Sequence, residues 1–369
     1  MKQLLVIAIA LASTTAFASR ARVTSLGNSA HIVDTQSIYS NPAKMFLMGD
    51  FVNLESGSTT QTTQNTNTEG LLVRSMGDAK AGLSLGHRSD NASVFGLRSI
   101  YNTVASGSAT TAAAANQQNP IELSYGMKSG DMTWAGTLVY SNYNDKKNDV
   151  KESSAGLRLG ALTGAWDFNV GIGLGNTAKT SAIDFKGTTG ISAYAGYAMN
   201  SMYYFGEVVL AGAKMSVSNA EVAKVETTKV TVGAVESVKK DGNEFFYGAS
   251  LVSFQAKNDG TASTTDDTKS TTLNLPVIVG LEAEATSWMT LRGSLTQSVL
   301  INNSKTEVGS ATAVETAPGG NNTVAAIGAG LKFNKVTVDG SLSGLTGTGA
   351  TQALNGNTLL STVGLTYMF

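Results

Sequence analysis

The sequence predicts an all-β fold: a transmembrane antiparallel β-barrel of about 16 strands, with about 14 as the alternative count, and a short N-terminal plug-like segment. Three observations predict it. The chain begins with an export signal, most of it alternates apolar and polar residues, and it ends in an aromatic strand. We expect residues 1–18 to be a signal peptide, residues 19–48 the plug-like segment and residues 49–369 the barrel.

The export signal has three parts in the expected order. Lys2 precedes a short apolar stretch over residues 4–12, and Ala16-Phe17-Ala18 forms a small-residue cleavage site. The apolar stretch is too short to span a bilayer as a helix. We therefore expect cleavage after Ala18, which makes Ser19 the first residue of the mature chain.

The composition narrows the protein class. A hydrophobic content of 42% is too low for a bundle of transmembrane helices. The absence of cysteine excludes disulfides, thiol catalysis and cysteine metal sites. Lys and Arg number 26 against 27 Asp and Glu, with no basic tract, so we expect no nucleic-acid partner. Forty glycines against four prolines indicate close-packed strands and many turns.

The alternation has a period of two. Trp166, Phe168 and Val170 are separated by Asp167 and Asn169, and similar runs cover residues 121–128 and 273–282. Successive side chains of a strand point to opposite faces, so one face is apolar and the other is polar or glycine. A helix would place Trp166 and Phe168 on different faces.

The connections alternate between tight and long. The tight turns are Ser129-Gly130-Asp131, Asn200-Ser201, Lys240-Asp241-Gly242-Asn243 and Asn334-Lys335. The long polar connections are residues 58–69, 105–119, 143–153, 176–186, 257–270, 300–321 and 345–356, with 216–224 of intermediate length. Short turns on the periplasmic rim and long loops on the extracellular rim are typical of outer-membrane barrels.

Strand starts follow from these connections. We expect rising strands to start near residues 49, 93, 131, 165, 202, 244, 287 and 335. Falling strands are expected to start near residues 79, 120, 154, 187, 225, 271, 322 and 357. Residues 69–92 are ambiguous, since Leu71 to Met76 fits either a strand extension or a loop segment.

The apolar face favours lipid over a second packed sheet. Aromatic residues fall near strand ends, as in an interfacial girdle: Trp166, Tyr197, Trp288 and Phe333. The last strand carries Val363, Leu365, Tyr367 and Phe369 on one face, and it resembles the C-terminal signal strand of outer-membrane proteins. We therefore expect the outer membrane of a Gram-negative-type bacterium, with outer-membrane lipid and the barrel assembly machinery as partners.

Two short motifs stand out in the N-terminal segment, Ser25-Leu26-Gly27 and Tyr39-Ser40-Asn41-Pro42-Ala43, and two more lie later in the chain, Leu275-Pro276-Val277 and Leu291-Arg292-Gly293. In these motifs the chain resembles the FadL-type long-chain fatty acid transporter superfamily. The resemblance implies a plug inside the barrel, entry of hydrophobic compounds from outside, and Asn41, Pro42 and Ala43 at the plug junction. The chain departs from that family in being shorter and in its higher strand count. From the residues alone, Asn41-Pro42 is a turn that ends a short helix and starts the first strand.

The face opposite the aliphatic one predicts a polar lumen. Its candidate selectivity residues are Arg98, Glu122, Arg158, Asp167, Glu207, Glu282, Arg292 and Asp339. Charge in lipid is costly, so these side chains should face a wet lumen, where clusters of charge set ion preference. The alternative is that they only pair with one another and fill the wall.

No catalytic constellation is recognisable. His31 and His87 are the only histidines; we place His31 in the plug-like segment and His87 at a periplasmic strand end, and neither lies in a nucleophile motif or metal spacing. The sequence thus predicts no enzyme, no metal and no cofactor. The favoured function is passive diffusion of small solutes through a porin-like channel. A plugged channel for hydrophobic compounds and a structural or adhesive surface barrel are the alternatives, and a homo-oligomer is left open.

Overall fold

The computed structural model describes residues 19–58, 66–88, 117, 119–147, 149–180, 183–260, 267–309, 314–316, 323–346 and 360–369. Within these residues one antiparallel sheet closes on itself, because β1 pairs with both β2 and β17. Sixteen strands form the wall. The three-residue β14 pairs only at the edge of β13, which pairs directly with β15. The predicted all-β barrel of about 16 strands is confirmed.

The strands follow one another around the wall as hairpins. Their bounds are β1 (Phe51–Ser58), β2 (Thr66–Met76), β3 (Ala79–Leu85), β4 (Ile121–Ser129), β5 (Met132–Asp145), β6 (Val150–Thr163), β7 (Trp166–Lys179), β8 (Ile183–Met199), β9 (Met202–Val217), β10 (Ala220–Lys240), β11 (Asn243–Gly260), β12 (Thr268–Thr286), β13 (Met289–Val308), β14 (Val314–Thr316), β15 (Thr323–Phe333), β16 (Val336–Thr346) and β17 (Leu360–Met368).

Both ends of the barrel lie on one rim. Phe51, which opens β1, pairs with Met368 near the end of β17. The tight turns lie on the same rim, for example the turn through Asn334, whose φ of 55° suits a two-residue hairpin connection. This rim is the periplasmic one, and the opposite rim is extracellular.

An apolar belt covers the outside of the wall. Leu123, Leu138, Val170 and Val279 are all substantially exposed, as the period-two alternation predicts. Trp166 stacks on Phe168, with ring centroids 5.3 Å apart, at the periplasmic edge of this belt. An exposed apolar belt of this extent needs hydrocarbon around it, and closure leaves the wall without a free edge.

The early strands differ from the predicted order. Residues 66–76 form the falling strand β2, and a tight turn at Gly77, with φ of 68°, leads into β3. Residues 79–85 therefore rise, whereas the sequence predicted a falling strand there. The sequence left residues 69–92 ambiguous, and the turn at Gly77-Asp78 divides this segment into two strands. The rising strand predicted near residue 93 lies outside the described residues.

The predicted long connections are shorter than expected on one flank. β9 and β10 continue to a two-residue turn at Ser218-Asn219, with φ of 50° and 68°. Strands also replace much of the predicted loops at residues 143–153, 176–186, 257–270 and 300–321. Above the belt both faces of a strand meet water, so these strands lose their apolar alternation and resemble loops in sequence.

Residues before β1 form short helical turns. They are helix α1 (Arg20–Ser25) and two 3₁₀ helices, Thr35–Tyr39 and Pro42–Leu47. Asp34 caps the first 3₁₀ helix, and Asn41 caps the second by accepting from the backbone N–H of Ala43. Asn41-Pro42 thus starts another helical turn instead of the first strand, which begins only at Phe51. Among the described helices, none is long and apolar enough to cross a membrane.

Candidate channel lumen and its N-terminal plug

Residues 19–48, called the plug below, lie inside the barrel. Ser19, Leu26, Asp34 and Asn41 are fully buried, although each belongs to a segment outside the sheet. Helix α1 packs on β13, β15, β16 and β17, and the second 3₁₀ helix packs on β4, β5 and β6. The plug therefore touches the wall on opposite sides of the lumen, and charged contacts hold it at four anchors.

The first anchor is a chain of buried charges. Arg22 donates from Nε to Glu282 Oε2 at 2.8 Å and from Nη2 to Oε1 at 2.9 Å. Glu282 also accepts from Arg292 Nε at 2.6 Å, and Arg292 donates to Asp339 Oδ1 at 2.6 Å. On its other side Arg22 lies 3.4 Å from Asp34. One plug arginine thus links the plug to β12, β13 and β16.

The second anchor joins two wall carboxylates to the start of the plug. The backbone N–H of Arg20 donates to Glu55 at 2.9 Å, and its guanidinium donates to Glu69 at 2.6 Å. Gln36 bridges the two carboxylates with contacts of 2.8 Å to each. His87 also contacts Glu69 at 2.9 Å. Two acidic side chains on neighbouring strands are therefore held together by plug donors.

The third anchor is centred on Asp167 of β7. Asn41 donates to Asp167 at 2.6 Å, and the ammonium of Lys44 lies 2.8 Å from the same carboxylate. Tyr203 of β9 donates to it at 3.1 Å and contacts Tyr194 of β8. Asp167 thus receives donors from the plug on one side and from the wall on the other.

The fourth anchor combines a polar contact with apolar packing. The ring of His31 contacts Glu244 of β11 at 3.1 Å and Ser29 at 2.9 Å. The same ring packs on Phe246, with centroids 4.7 Å apart. Leu26 completes a small apolar cluster with Phe246. Buried apolar area adds stability that does not depend on charge.

Two inward-facing glycines let the plug come close to the wall. A Cβ at Gly160 of β6 would collide with the side chain of Asn41, and a Cβ at Gly364 of β17 would collide with Ser19. Glycine is the residue that permits such close approach. Part of the high glycine content is therefore explained by plug contact as well as by turns.

Burial affects the charge of Asp34 inside the plug. Burial raises the pKa of Asp34 to about 7, against the opposing effect of the Arg22 guanidinium. Thr35 and the backbone N–H of Gln36 also donate to this carboxyl group. Asp34 therefore changes protonation near neutral pH while the plug is docked.

The remaining candidate lumen residues pair within the wall. Arg158 of β6 donates to Glu122 of β4 at 2.5 Å, and both side chains are buried. Glu207 of β9 pairs with Lys229 of β10 at 2.9 Å, and both are partly exposed. Arg98 lies outside the described residues. Glu122, Arg158 and Glu207 thus lie on the inner face, as the parity of their strands predicts.

The extracellular half of the lumen has an apolar patch on one side. Phe185 packs with Ala178, Ala211, Ala213 and Val225 on the inner face of β7 to β10. A second contact joins Val139 of β5 to Val209 of β9, strands that are not neighbours in the wall. The lumen is therefore narrow at this height and not lined by polar groups alone.

Comparison with solved structures finds outer-membrane barrels. A bacterial polysaccharide outer membrane secretin is 8% identical, with coverage of 87% of this chain and 98% of that chain and a TM-score of 0.44. The Pseudomonas putida toluene transporter TodX is 10% identical, with coverage of 95% and 97% and a TM-score of 0.39. OmpT of Vibrio cholerae is 12% identical, with coverage of 87% and 96% and a TM-score of 0.37.

The fold is that of an outer-membrane β-barrel. The matched structures are thus outer-membrane barrels, as the sequence resemblance predicted, and at these identities and TM-scores they carry no argument about function. The closed wall and its apolar belt place the chain in the outer membrane of a Gram-negative-type bacterium, in contact with lipid. No protein-family model and no curated protein matches the sequence.

Two predictions from the sequence are corrected. The prediction that the chain is not an enzyme is not upheld. The matched structures include OmpT of Vibrio cholerae, and at 12% identity that match establishes no activity. His87 is not at a periplasmic strand end. Because β3 rises, His87 follows its extracellular end, where it stacks on Tyr39 with centroids 3.5 Å apart.

The sequence analysis did not identify several of the residues that form the anchors. Arg20, Arg22 and Lys44 were not singled out, and neither were Glu55 and Glu69 on the wall. Parity along β1 would have placed Glu55 inside, since it follows the outward Leu54. No local pattern marks the three basic plug residues, because their partners are up to 260 positions away in the chain.

Proposed function

We propose that the chain is an outer-membrane channel for passive diffusion of small solutes, and that the plug sets how often it is open. The observation that carries the proposal is the set of charged anchors between plug and wall. Arg20, Arg22 and Lys44 each bind a wall carboxylate. A charged pair at 4 Å contributes only about 1 kcal/mol in bulk water, so such a plug can move once water reaches its anchors.

The wall supports the same proposal. Its inner face carries Glu122, Arg158, Glu207 and Lys229 in addition to the anchor residues. A 16-stranded barrel is wide enough for an aqueous passage once its contents shift. Conductance through such a passage depends on the lumen charges that remain.

Planar-bilayer recordings test the proposal with four chains. These are the mature chain, a chain lacking residues 19–46, and the substitutions Arg22→Gln and Arg158→Gln. Arg22→Gln removes the partner of Glu282 and Asp34, and Arg158→Gln removes the partner of Glu122; breaking one buried pair costs about 3–5 kcal/mol. The Arg22–Glu282 pair joins the plug to the wall, whereas the Arg158–Glu122 pair joins two wall strands. We expect rare openings in the mature chain, large steady conductance in the deletion, and frequent openings in Arg22→Gln.

The matched control separates gating from selectivity. Arg158→Gln should leave the opening frequency unchanged and shift ion preference toward cations, because it removes a lumen cation. Equal conductance in the mature and deleted chains would show that the plug does not close the lumen. No conductance in any of the four chains would reject the diffusion channel.

A second candidate function is uptake of hydrophobic compounds through the same barrel. The inward patch around Phe185 favours it, because a solute from outside meets this apolar surface before the plug. Entry of toluene and of a small sugar into proteoliposomes distinguishes the two functions. Phe185→Ser should slow toluene alone if the patch receives hydrophobic compounds. Entry of neither solute would favour a structural or adhesive barrel.

A further inference from the structure

Lysines form a band on the outer surface of β6 to β13, above the apolar belt. Among the described residues this lysine band consists of Lys151, Lys179, Lys186, Lys214, Lys224, Lys257, Lys269 and Lys305. Each occupies an outward position in the register of its strand, and each is exposed or half-buried. All of these lysines except Lys214 lie in segments that the sequence predicted as loops and that the structure shows as strand extensions.

The height of the band matches that of lipid head groups. On β9 the outermost exposed belt residue is Leu210, and Lys214 follows four positions later. Four residues span about 13 Å along a strand, or about 10 Å of height at the usual tilt. Polar head groups occupy the layer immediately outside the hydrocarbon core. The ammonium groups therefore reach the outer-leaflet head groups.

Several of these lysines lie directly opposite one another. The strand register pairs Lys186 with Lys214, Lys214 with Lys224, and Lys257 with Lys269. Lys151 is likewise opposite Lys179. Like charges directly opposite across strands are destabilising. A bridging anion would turn each repulsive pair into a binding site for one phosphate.

Acidic residues pair with five of the eight lysines. Lys214 lies 2.8 Å from Glu221 and Lys257 lies 2.8 Å from Asp259, and the other three pairs are Lys179–Asp184, Lys224–Glu226 and Lys305–Glu307. The acids at outward positions of these extensions are Asp184, Glu221, Glu226, Asp259 and Glu307. Five acids against eight lysines leave an excess of three positive charges.

Among the described residues, the positive surface is on one flank of the barrel. At comparable height on the other flank, the described outward positions carry uncharged residues, such as Ser56 of β1, Thr68 of β2 and Asn142 of β5. An even coating of charge for solubility would not be one-sided. The band therefore has the form of a binding surface continuous with the belt below it.

We propose that the lysine band binds the phosphate groups of an anionic outer-leaflet glycolipid. Each phosphate accepts from two opposed ammonium groups, as between Lys186 and Lys214, and the acyl chains lie on the belt below, beside Leu210. The charged band lies directly above the apolar belt, so a ligand with both a phosphate group and acyl chains fits this surface better than a soluble anion does. This surface is outside the lumen and acts whether or not the barrel conducts.

The test uses the whole mature barrel in detergent and measures binding of bisphosphorylated lipid A and of its dephosphorylated form. The variant is Lys186→Gln with Lys214→Gln. Its matched control is Lys240→Gln with Lys335→Gln, two exposed lysines at periplasmic turns. At about 1 kcal/mol per lysine near an anionic surface, we expect roughly thirty-fold weaker binding in the variant and no change in the control.

Heat unfolding shows whether a loss of glycolipid binding comes from misfolding of the variant. Without glycolipid, the heat-unfolding midpoint of the variant should equal or exceed that of the original chain, because opposed charges are removed. The phosphorylated form should raise the midpoint of the original chain more than that of the variant. Equal binding of both lipid forms, equal loss in variant and control, or displacement of the glycolipid by equimolar inorganic pyrophosphate would each overturn the proposal.

Discussion

Individual charges in the lumen have partners that no local pattern defines. Strand parity puts Asp167 and Glu282 on the inner face, and both lie there, but each is held by a plug residue far away in the chain. Removing one member of such a buried pair leaves an uncompensated charge, which costs more than losing a surface pair. The plug-to-wall interface is therefore sensitive to single substitutions.

Asp34 predicts a pH dependence of plug docking. Its pKa is about 7 in the docked plug, above its ordinary value near 4. Between about pH 4 and pH 7 the docked plug therefore binds a proton that a released plug lacks, and docking weakens as the pH rises through 7. We expect more frequent openings at pH 8 than at pH 5.5 in bilayer recordings.

The control for this effect is Asp34→Asn, which keeps the shape but cannot ionise. Its opening frequency should change less between pH 5.5 and pH 8 than that of the original chain. Arg22 and Asp339, the nearest charged groups acting on Asp34, are unchanged in this variant. More frequent openings at the lower pH would contradict the assignment.

At the scale of elements, the terminal strand β17 closes the barrel. It pairs with β1 and β16, and Val363, Leu365 and Phe369 are exposed toward lipid. Tyr367 lies on the same face and forms a T-shaped pair with Phe369, with ring centroids 5.4 Å apart. This strand thus presents a continuous apolar face to the membrane, consistent with the predicted signal for the assembly machinery.

Phe369→Asp is therefore expected to lower the amount of folded barrel in outer membranes several-fold, because the terminal strand loses its aromatic end. The matched control is Phe333→Asp, another exposed aromatic residue at the periplasmic end of a strand. Heat-modifiable migration on gels measures the folded fraction. An equal loss in both variants would indicate a general cost of charge at the rim and not a role of the terminal residue.

The strand directions at the start of the barrel make a second prediction at this scale. A cysteine at Asp78 or Lys335 lies in a periplasmic turn, and one at Asn219 lies in an extracellular turn. The chain contains no other cysteine, so labelling is specific. On intact cells only the variant at Asn219 should react with an impermeant maleimide. Labelling of the Asp78 variant on intact cells would contradict this topology and support the falling strand that the sequence predicted for residues 79–85.

At the scale of the whole molecule, a closed wall surrounds a segment of about thirty residues that binds it by charge. The wall satisfies its backbone hydrogen bonds through closure, so it does not need the plug to persist in lipid. The plug, in contrast, has only short helical turns and depends on the wall for its conformation. This division allows plug movement without loss of the barrel.

The fold was largely predictable because lipid requires apolar residues on the outer face of every strand. Outward residues such as Leu123 and Val279 must be apolar, and the period of two then fixes the face of every residue on the same strand. This requirement no longer applies to the parts of the strands that extend beyond the lipid. The extensions carrying Lys186 and Lys257 were predicted as loops, because water on both faces removes the alternation.

The sequence by itself determined the barrel class, an approximate strand number, the terminal strand and the inward position of residues such as Glu122 and Asp339. Each follows from local composition and period, which act within a strand. Only the tertiary structure decided which charges meet: Arg22 with Glu282, Lys44 with Asp167, and Lys186 opposite Lys214. Those pairings depend on closure and register, which join residues that are distant along the chain.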